Sequence, residues 1–439
     1  MIRLRGLIDR HRHAGWALAD QAVVSGGNFA TGILLARHFG PEAFGVFVLL
    51  QAVLFYVNAF QVTLIFSPML SAAPQMEEGR RAAYLRGLLA LQLVLSVALA
   101  ALVWLLGWGA ARLFPAAAVG RDVVLAVAAA ILAFQLQEWL RRYYFVREDA
   151  RSACLNDVIS YGGQVAVLAW FCLHGDPGMA QVFWIIAATS ALACACGVAG
   201  GFIPRPAFTA IRGLLHDGWR TGRDYFVAWQ MQWAGTQGIL LVGAGLVGTQ
   251  AAGGVRAAQN IIGPLNILFQ VMENVVPVKA ARRYAEDGLP GLKAYLWRNT
   301  AWGSAFLLPL LLVLALWAEP LTRFIYGPSY AAYAGLVIWQ AGAMFLQFYL
   351  RQALFFMRTL QETGPIIRVG VVMAVCSVLV ALLTVGEYRE AGIMLALFCA
   401  VCAGLVDAVL AARSLNLRLA RAAAHSLPMN IAAQTGSHR

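Results

Sequence analysis

The chain has 439 residues, of which 61% are hydrophobic and 12% are charged, and its mean hydropathy is +0.69. So little polar surface excludes a soluble globular protein of this length and predicts that the bilayer is the solvent for most of the chain. The formal net charge of +12 does not indicate nucleic acid binding, because the basic residues are spread over seven short segments instead of one domain.

Long apolar runs recur along the whole sequence. A helix that spans the hydrocarbon needs roughly 20 mostly apolar residues and must satisfy its own backbone hydrogen bonds. We therefore predict an all-α integral membrane protein with about twelve transmembrane helices in two six-helix bundles. The predicted spans are residues 16–35, 44–66, 87–108, 123–140, 155–173, 182–202, 225–246, 254–276, 301–317, 332–350, 369–385 and 391–410.

The basic residues predict the orientation of these helices. Of the 33 Lys and Arg residues, 27 fall at the two termini and in every second gap, among them the basic and aromatic run 141–147. Because Lys and Arg in short loops stay on the cytoplasmic side, both termini are predicted to be cytoplasmic. The basic start resembles a signal peptide, but Asp20 and Asn28 interrupt the first run, so we expect a retained helix.

A segment of different composition separates the first six spans from the last six. Residues 204–223 place Phe208, Ile211, Leu215 and Trp219 at helical spacing beside basic residues, which is typical of an amphipathic helix on the membrane surface. The predicted organisation is a bundle at 1–203, this linker at 204–223, a second bundle at 224–413 and a cytoplasmic tail at 414–439.

The two predicted bundles share a short pattern. Gly45 is followed six residues later by Gln51, and Gly253 is followed six residues later by Gln259, in each case at the start of a helix. Matching positions in two six-helix halves favour a repeat with parallel topology, because six crossings return the chain to the same side.

Motifs for catalysis, metals or nucleotides are missing from the sequence. The seven cysteines lie in or beside apolar runs, so Cys399 and Cys402 are interpreted as packing residues. The glycines at 243, 245 and 248 match a dinucleotide fingerprint but follow no strand. We expect no cofactor, no metal site and no catalytic residue.

The eighth predicted helix has a polar face. At 100° per residue its polar side chains and one glycine span an arc of roughly 140°. Such a face is expected to line a cavity or to bond neighbouring helices, and Pro264 predicts a kink within it. Arg256 lies in the first turn, where its side chain either lines the cavity or extends to water. The residues of this face are Arg256, Gln259, Asn260, Gly263, Asn266, Gln270, Glu273 and Asn274.

The first and seventh predicted helices have shorter polar stripes. Asp20 and Asn28 lie on the first, and Gln230, Trp233 and Gln237 lie on the seventh. An aromatic ring flanked by amides suits either a sugar or ordinary helix packing. The charged residues Asp20, Asp157, Asp224, Glu273, Arg351 and Asp407 all fall within about two turns of a predicted span end, which weakens a charged relay across the membrane.

Two stretches resemble a known family. Residues 32–45, GILLARHFGPEAFG, and residues 253–259, GGVRAAQ, with the prolines and basic residues that follow them, resemble Wzx-type polysaccharide flippases. These belong to the multidrug, oligosaccharidyl-lipid and polysaccharide (MOP) exporter superfamily. The resemblance implies two bundles around a cavity that opens alternately to each side, and it implies a cationic residue for the substrate pyrophosphate, which here matches Arg256 only.

The resemblance also implies substrate, partners and location. The substrate is expected to be a polyprenyl-pyrophosphate-linked oligosaccharide, flipped outward across the bacterial inner membrane, with membrane lipids, a polysaccharide polymerase and glycosyltransferases as partners. Two alternatives stay open. One is an ion-coupled multidrug or metabolite antiporter of the same superfamily, in which Asp20 exchanges H⁺ or Na⁺, and the other is a membrane-bound glycan-modifying enzyme.

Overall fold

The computed structural model describes residues 2–113, 119–200, 204–233 and 238–425. Within these ranges every regular element is helical, so the predicted all-α class is confirmed. The α-helices are α1 Ile2–Gln61, α2 Ser67–Ala72, α3 Glu78–Leu113, α4 Arg121–Val146, α5 Ala150–Asp157, α6 Gly163–His174, α7 Met179–Ala199, α8 Ile211–Trp233, α9 Ile239–Val247, α10 Thr249–Ile262, α11 Asn266–Leu316, α12 Ala318–Tyr326, α13 Ala334–Thr359 and α14 Thr363–His425.

Seven helical stretches in the described ranges are long and apolar enough to cross a membrane. Three of them, 56, 68 and 57 residues long, exceed the roughly 20 residues that one crossing requires. Each contains a residue with non-helical backbone angles, at Gly40 (φ 71°), Gly288 (φ 66°) and Arg389 (φ 51°). All three breaks fall in gaps between predicted spans, and the protein is a multi-pass membrane protein.

Two helices extend beyond predicted boundaries. The helix α1 begins at Ile2, and its apolar spanning stretch begins at Gly15, beside the predicted span start at residue 16. The helix α8 runs from Ile211 to Trp233 across the predicted linker boundary at residue 223, which stays a prediction. Leu215 and Trp219 on α8 are exposed, as expected for apolar side chains that face lipid.

The helices form two compact units. Unit 1 contains the described residues up to Ile261 together with Pro320–Ala334, and unit 2 contains Ile262–Glu319 and the described residues from Gly335 onward. The division falls within the eighth predicted helix, where a 3₁₀ turn at Gly263–Leu265 separates α10 from α11. Pro264 lies in that turn, as the predicted kink requires. The six-and-six division of the sequence stays a prediction.

Unit 1 contains a close crossing of α1 and α10 at two glycines. A Cβ on Gly45 would overlap the carbonyl oxygen of Thr249 and lie 3.2 Å from the Gly253 nitrogen. A Cβ on Gly253 would overlap the carbonyl oxygen of Pro41 and lie 3.1 Å from the Gly45 nitrogen. The contacts are reciprocal, since Gly45 and Gly253 are separated by the same 208 positions as Pro41 and Thr249. Reciprocal contacts of this kind are what a two-fold repeat produces.

Further bonds hold the same end of unit 1 together. Thr249 Oγ1 donates to the carbonyl oxygen of Glu42 at 3.2 Å. Arg37 Nε donates to the carbonyl oxygen of Ile325 at 2.7 Å, and its Nη2 donates to that of Phe324. These carbonyls end α12, where a cation also interacts favourably with the helix dipole. The α1–α10 crossing is therefore a tight closure at the predicted periplasmic end.

We expect Gly45→Ala and Gly253→Ala to lower the stability of the protein in detergent by about 1–3 kcal/mol, because the added methyl group has no space between the two backbones. The measurement is the unfolding temperature of the purified variants. Gly245→Ala is the matched control, since a Cβ there meets nothing within 4 Å. Equal unfolding temperatures for all three variants would show that the crossing is loose.

Candidate functional site

A buried ion cluster in unit 1 is centred on Arg141 of α4. Its Nη2 lies 2.5 Å from Asp20 Oδ2, its Nε lies 2.7 Å from Asp157 Oδ2, and its Nη1 lies 3.6 Å from Glu138 Oε1. The side chains of all four residues are at most 8% exposed. Three helices, α1, α4 and α5, therefore meet at one guanidinium.

Polar neighbours complete this cluster. Gln137 Nε2 donates to Asp157 Oδ1 at 2.7 Å and to Asn156 Oδ1 at 2.9 Å, and Tyr161 Oη donates to Glu138 Oε1 at 3.4 Å. Arg142 reaches Glu138 Oε2 at 3.8 Å from a more exposed position.

With every group ionised, three carboxylates face two guanidinium groups. In a low-dielectric interior the excess negative charge is costly, which favours uptake of a proton or small cation.

One sequence interpretation is wrong here. The run 141–147 was interpreted as positive-inside charge, but Arg141 is buried and ion-paired. Asp20 lies five residues after the start of the first apolar spanning stretch at Gly15, and Asp157 is the last residue of α5, so both lie near helix or span ends but still pair with Arg141. The spacing of Glu138 and Arg141, three residues apart on one helical face, was the signal for an internal ion pair.

The predicted stripes on the first and seventh helices lie at separate places in unit 1. Asp20 belongs to the ion cluster, and Asn28 Nδ2 donates to the carbonyl oxygen of Val24 at 3.0 Å. Gln230 Nε2 donates to Tyr56 Oη at 2.7 Å, and the Trp233 and Tyr56 rings lie 4.7 Å apart. Gln237 lies outside the described residues.

The start of the eighth predicted helix lies beside Tyr326 and Tyr333 in unit 1. Arg256, Gln259 and Asn260 on α10 are all half-buried. Tyr326 interacts with both Arg256 and Asn260, and the Asn260 side chain also packs against Gly32 of α1. The guanidinium of Arg256 therefore lies beside the closed α1–α10 crossing.

The rest of the polar face belongs to unit 2. Asn266 and Gln270 on α11 are exposed, and Glu273 follows them on the same face. Glu273 Oε1 lies 2.7 Å from Arg351 Nη1, and its Oε2 lies 2.6 Å from Arg358 Nη1. Arg351 also stacks over the Phe269 ring, 4.7 Å from its centroid. We call Glu273, Arg351 and Arg358 the arginine pair site.

This site has unused capacity for an anion. One carboxylate neutralises one of the two guanidinium groups, and the three side chains are 30–45% exposed. Guanidinium groups bind phosphate oxygens with paired N–H donors. Sequence reasoning missed the site because it placed Arg351 near a span end. The seven-residue spacing of Arg351 and Arg358 puts both on one helical face and was the available signal.

Comparison with protein families gives one match. Residues 34–335, more than half of the chain, match the family described as "Polysaccharide biosynthesis protein". No curated protein sequence matches the chain.

Comparison with solved structures gives membrane transporters and a lipid flippase. An inward-facing multidrug resistance MATE family transporter of the MOP superfamily matches with a TM-score of 0.73 and 15% identity, over 91% of this chain and 96% of that one. The lipid II flippase MurJ in an inward closed conformation matches at 0.68 with 14% identity, over 91% and 87%. An outward-facing MATE transporter matches at 0.57 with 15% identity, over 94% and 96%.

These matches confirm the predicted resemblance and fold. The sequence match shows the family, and the structural matches show the fold. The chain belongs to the polysaccharide biosynthesis protein family and has the fold of MOP-superfamily transporters.

Proposed function

We propose that the protein flips a polyprenyl-pyrophosphate-linked oligosaccharide from the cytoplasmic to the periplasmic leaflet of a bacterial inner membrane by alternating access. The product would serve polysaccharide, O-antigen or exopolysaccharide synthesis, with glycosyltransferases supplying the substrate and a polymerase consuming it. Both termini lie in the cytoplasm in this proposal. The observation that carries it is the polar face of α11 that ends at the arginine pair site.

The chemistry of such a substrate fits that face. Sugar hydroxyls and a pyrophosphate cannot cross hydrocarbon without compensating bonds, whereas the lipid tail can stay in the bilayer. Asn266 and Gln270 supply amide groups, and Arg351 and Arg358 supply guanidinium groups. A pyrophosphate has more acceptor oxygens than the Glu273 carboxylate, so it competes for the same N–H donors.

In this proposal Arg256 contacts the substrate pyrophosphate after the arginine pair site has bound it. It lies on α10, before the turn at Gly263–Leu265, while the arginine pair site lies after that turn. Opening of the α1–α10 crossing would expose Arg256 and Asn260 to the substrate. The pyrophosphate is first bound by Arg351 and Arg358, before the crossing opens, and contacts Arg256 later in the cycle.

We expect Arg351→Gln and Arg358→Gln each to raise KM for lipid-linked oligosaccharide by roughly tenfold or more, because a charge-assisted hydrogen bond contributes about 1.5–3 kcal/mol. The measurement is translocation of radiolabelled lipid-linked oligosaccharide in proteoliposomes. Arg282→Gln is the matched control, since Arg282 is 80% exposed and pairs with Glu286 on its own helix.

The variant Arg256→Ala distinguishes the role of Arg256 from that of the arginine pair site in the same assay. Its expected effect is a lower kcat with little change in KM, because Arg256 meets the substrate after binding. Unchanged translocation in all three variants, each with a wild-type unfolding temperature, would contradict the proposed site.

A second proposal concerns the energy source. The Asp20, Glu138, Asp157 and Arg141 cluster carries excess carboxylate in a buried position, which favours coupling to a proton or cation. The same observation favours the antiporter alternative.

Dye efflux that depends on Asp20, with lipid-linked oligosaccharide left in place, would select the antiporter. A covalently altered glycan would select the enzyme.

We expect Asp157→Asn to make translocation insensitive to an imposed pH gradient while the protein stays folded. The amide oxygen can still accept the hydrogen bond from Gln137, but the side chain can no longer exchange a proton. Asp407→Asn is the control, because Asp407 pairs with Arg368 at 3.0 Å outside the cluster. Wild-type pH dependence in Asp157→Asn would exclude this cluster as the coupling site.

A further inference from the structure

A cleft of about 300 Å³ lies between the two arms of α11 in unit 2. The arms are the helical segments before and after the break at Gly288. The first arm contributes Val271, Met272, Val275, Val276 and Lys279, and the second contributes Tyr295, Arg298, Asn299 and Trp302. We call this space the α11 cleft.

The α11 cleft has both polar and apolar lining. Lys279, Tyr295 and Arg298 supply polar groups, and Val271, Val275 and Trp302 supply apolar surface. Eight residues separate Val271 from Lys279, which corresponds to about 12 Å along the helix. Trp302 is 73% exposed, and its indole extends the apolar wall.

The two cations of the cleft differ from the other basic residues of α11. Arg282 and Arg283 pair with Glu286 or Asp287, and Lys293 donates to Asn416. Lys279 and Arg298 have no carboxylate within 4 Å in the part of the chain that the structure describes. Asn299 Nδ2 donates to Gln352 Oε1 at 2.9 Å, which holds this side chain in place beside them.

The cleft is distinct from the arginine pair site. At 100° per residue, the stripe of Val271, Val275 and Lys279 lies on roughly the opposite face of the first arm from Gln270 and Glu273. A ligand in the cleft therefore contacts the outside of the helix whose other face carries the polar stripe.

We propose that the α11 cleft binds the phosphate head and the first part of the isoprenoid chain of the polyprenyl-pyrophosphate carrier. Lys279 and Arg298 bind the phosphate oxygens, and Tyr295 donates from its hydroxyl. Val271, Val275 and Trp302 contact the hydrocarbon chain. This inference rests on the proposed function and names where the carrier docks before it enters.

The test is binding of polyprenyl pyrophosphate without sugar to the purified full-length protein, measured by native mass spectrometry. Lys279→Gln combined with Arg298→Gln is expected to weaken binding about tenfold or more. Trp302→Ala should weaken binding less, through the chain alone. Arg282→Gln combined with Lys293→Gln removes two other charges of α11 and should leave binding unchanged. Variants are compared only at matched unfolding temperature.

The outcomes separate this inference from the proposed function. Equal binding in both double variants would overturn the cleft as a carrier site. Phosphatidylglycerol binding that depends on Lys279 and Arg298 as strongly as carrier binding does would assign the cleft to bulk phospholipid and would also overturn it. The protein could bind the carrier through Lys279 and Arg298 and yet fail to translocate lipid-linked oligosaccharide. That result would support the cleft as a carrier site and would contradict the proposed function.

Discussion

Hydrocarbon cannot hydrate a charge, and the charged side chains of this protein are arranged around that constraint. Arg141 holds three carboxylates from three helices in unit 1, and Glu273 holds two arginines in unit 2. Both clusters are imbalanced, one toward negative and the other toward positive charge. A cluster with one uncompensated charge can bind an ion of opposite sign. The ion pairs that make burial possible therefore also leave a site for a proton, a cation or a phosphate.

The eighth predicted helix connects these features. Its first part, α10, carries Arg256 and the glycine that crosses α1, and its second part, α11, carries the amides and Glu273. The turn with Pro264 separates the parts and coincides with the division between the compact units. A helix that is interrupted by a proline turn can bend there, because few backbone hydrogen bonds change when it does.

Much of the fold follows from the sequence because membrane helices are specified by long apolar runs. Breaks at Gly40, Gly288 and Arg389 fall in predicted gaps, and Pro264 marks a real interruption. The ion pairs cannot be predicted from the sequence. A charged residue near the end of an apolar run has the same sequence pattern whether its side chain contacts water or another helix. Arg141 and Arg351 were both assigned to the interface for that reason. Partners from distant helices, such as Asp20 for Arg141, depend on packing that periodicity does not encode.

The central claim is that opening of the α1–α10 crossing moves a lipid-linked oligosaccharide across the membrane. The most direct measurement joins the two helices with a reducible cross-linker through Glu42→Cys and Thr249→Cys, in a protein whose seven native cysteines are replaced. We expect the joined protein to bind lipid-linked oligosaccharide without translocating it, and we expect reduction to restore translocation. Translocation at the full rate while the helices are joined would show that the crossing does not open during transport.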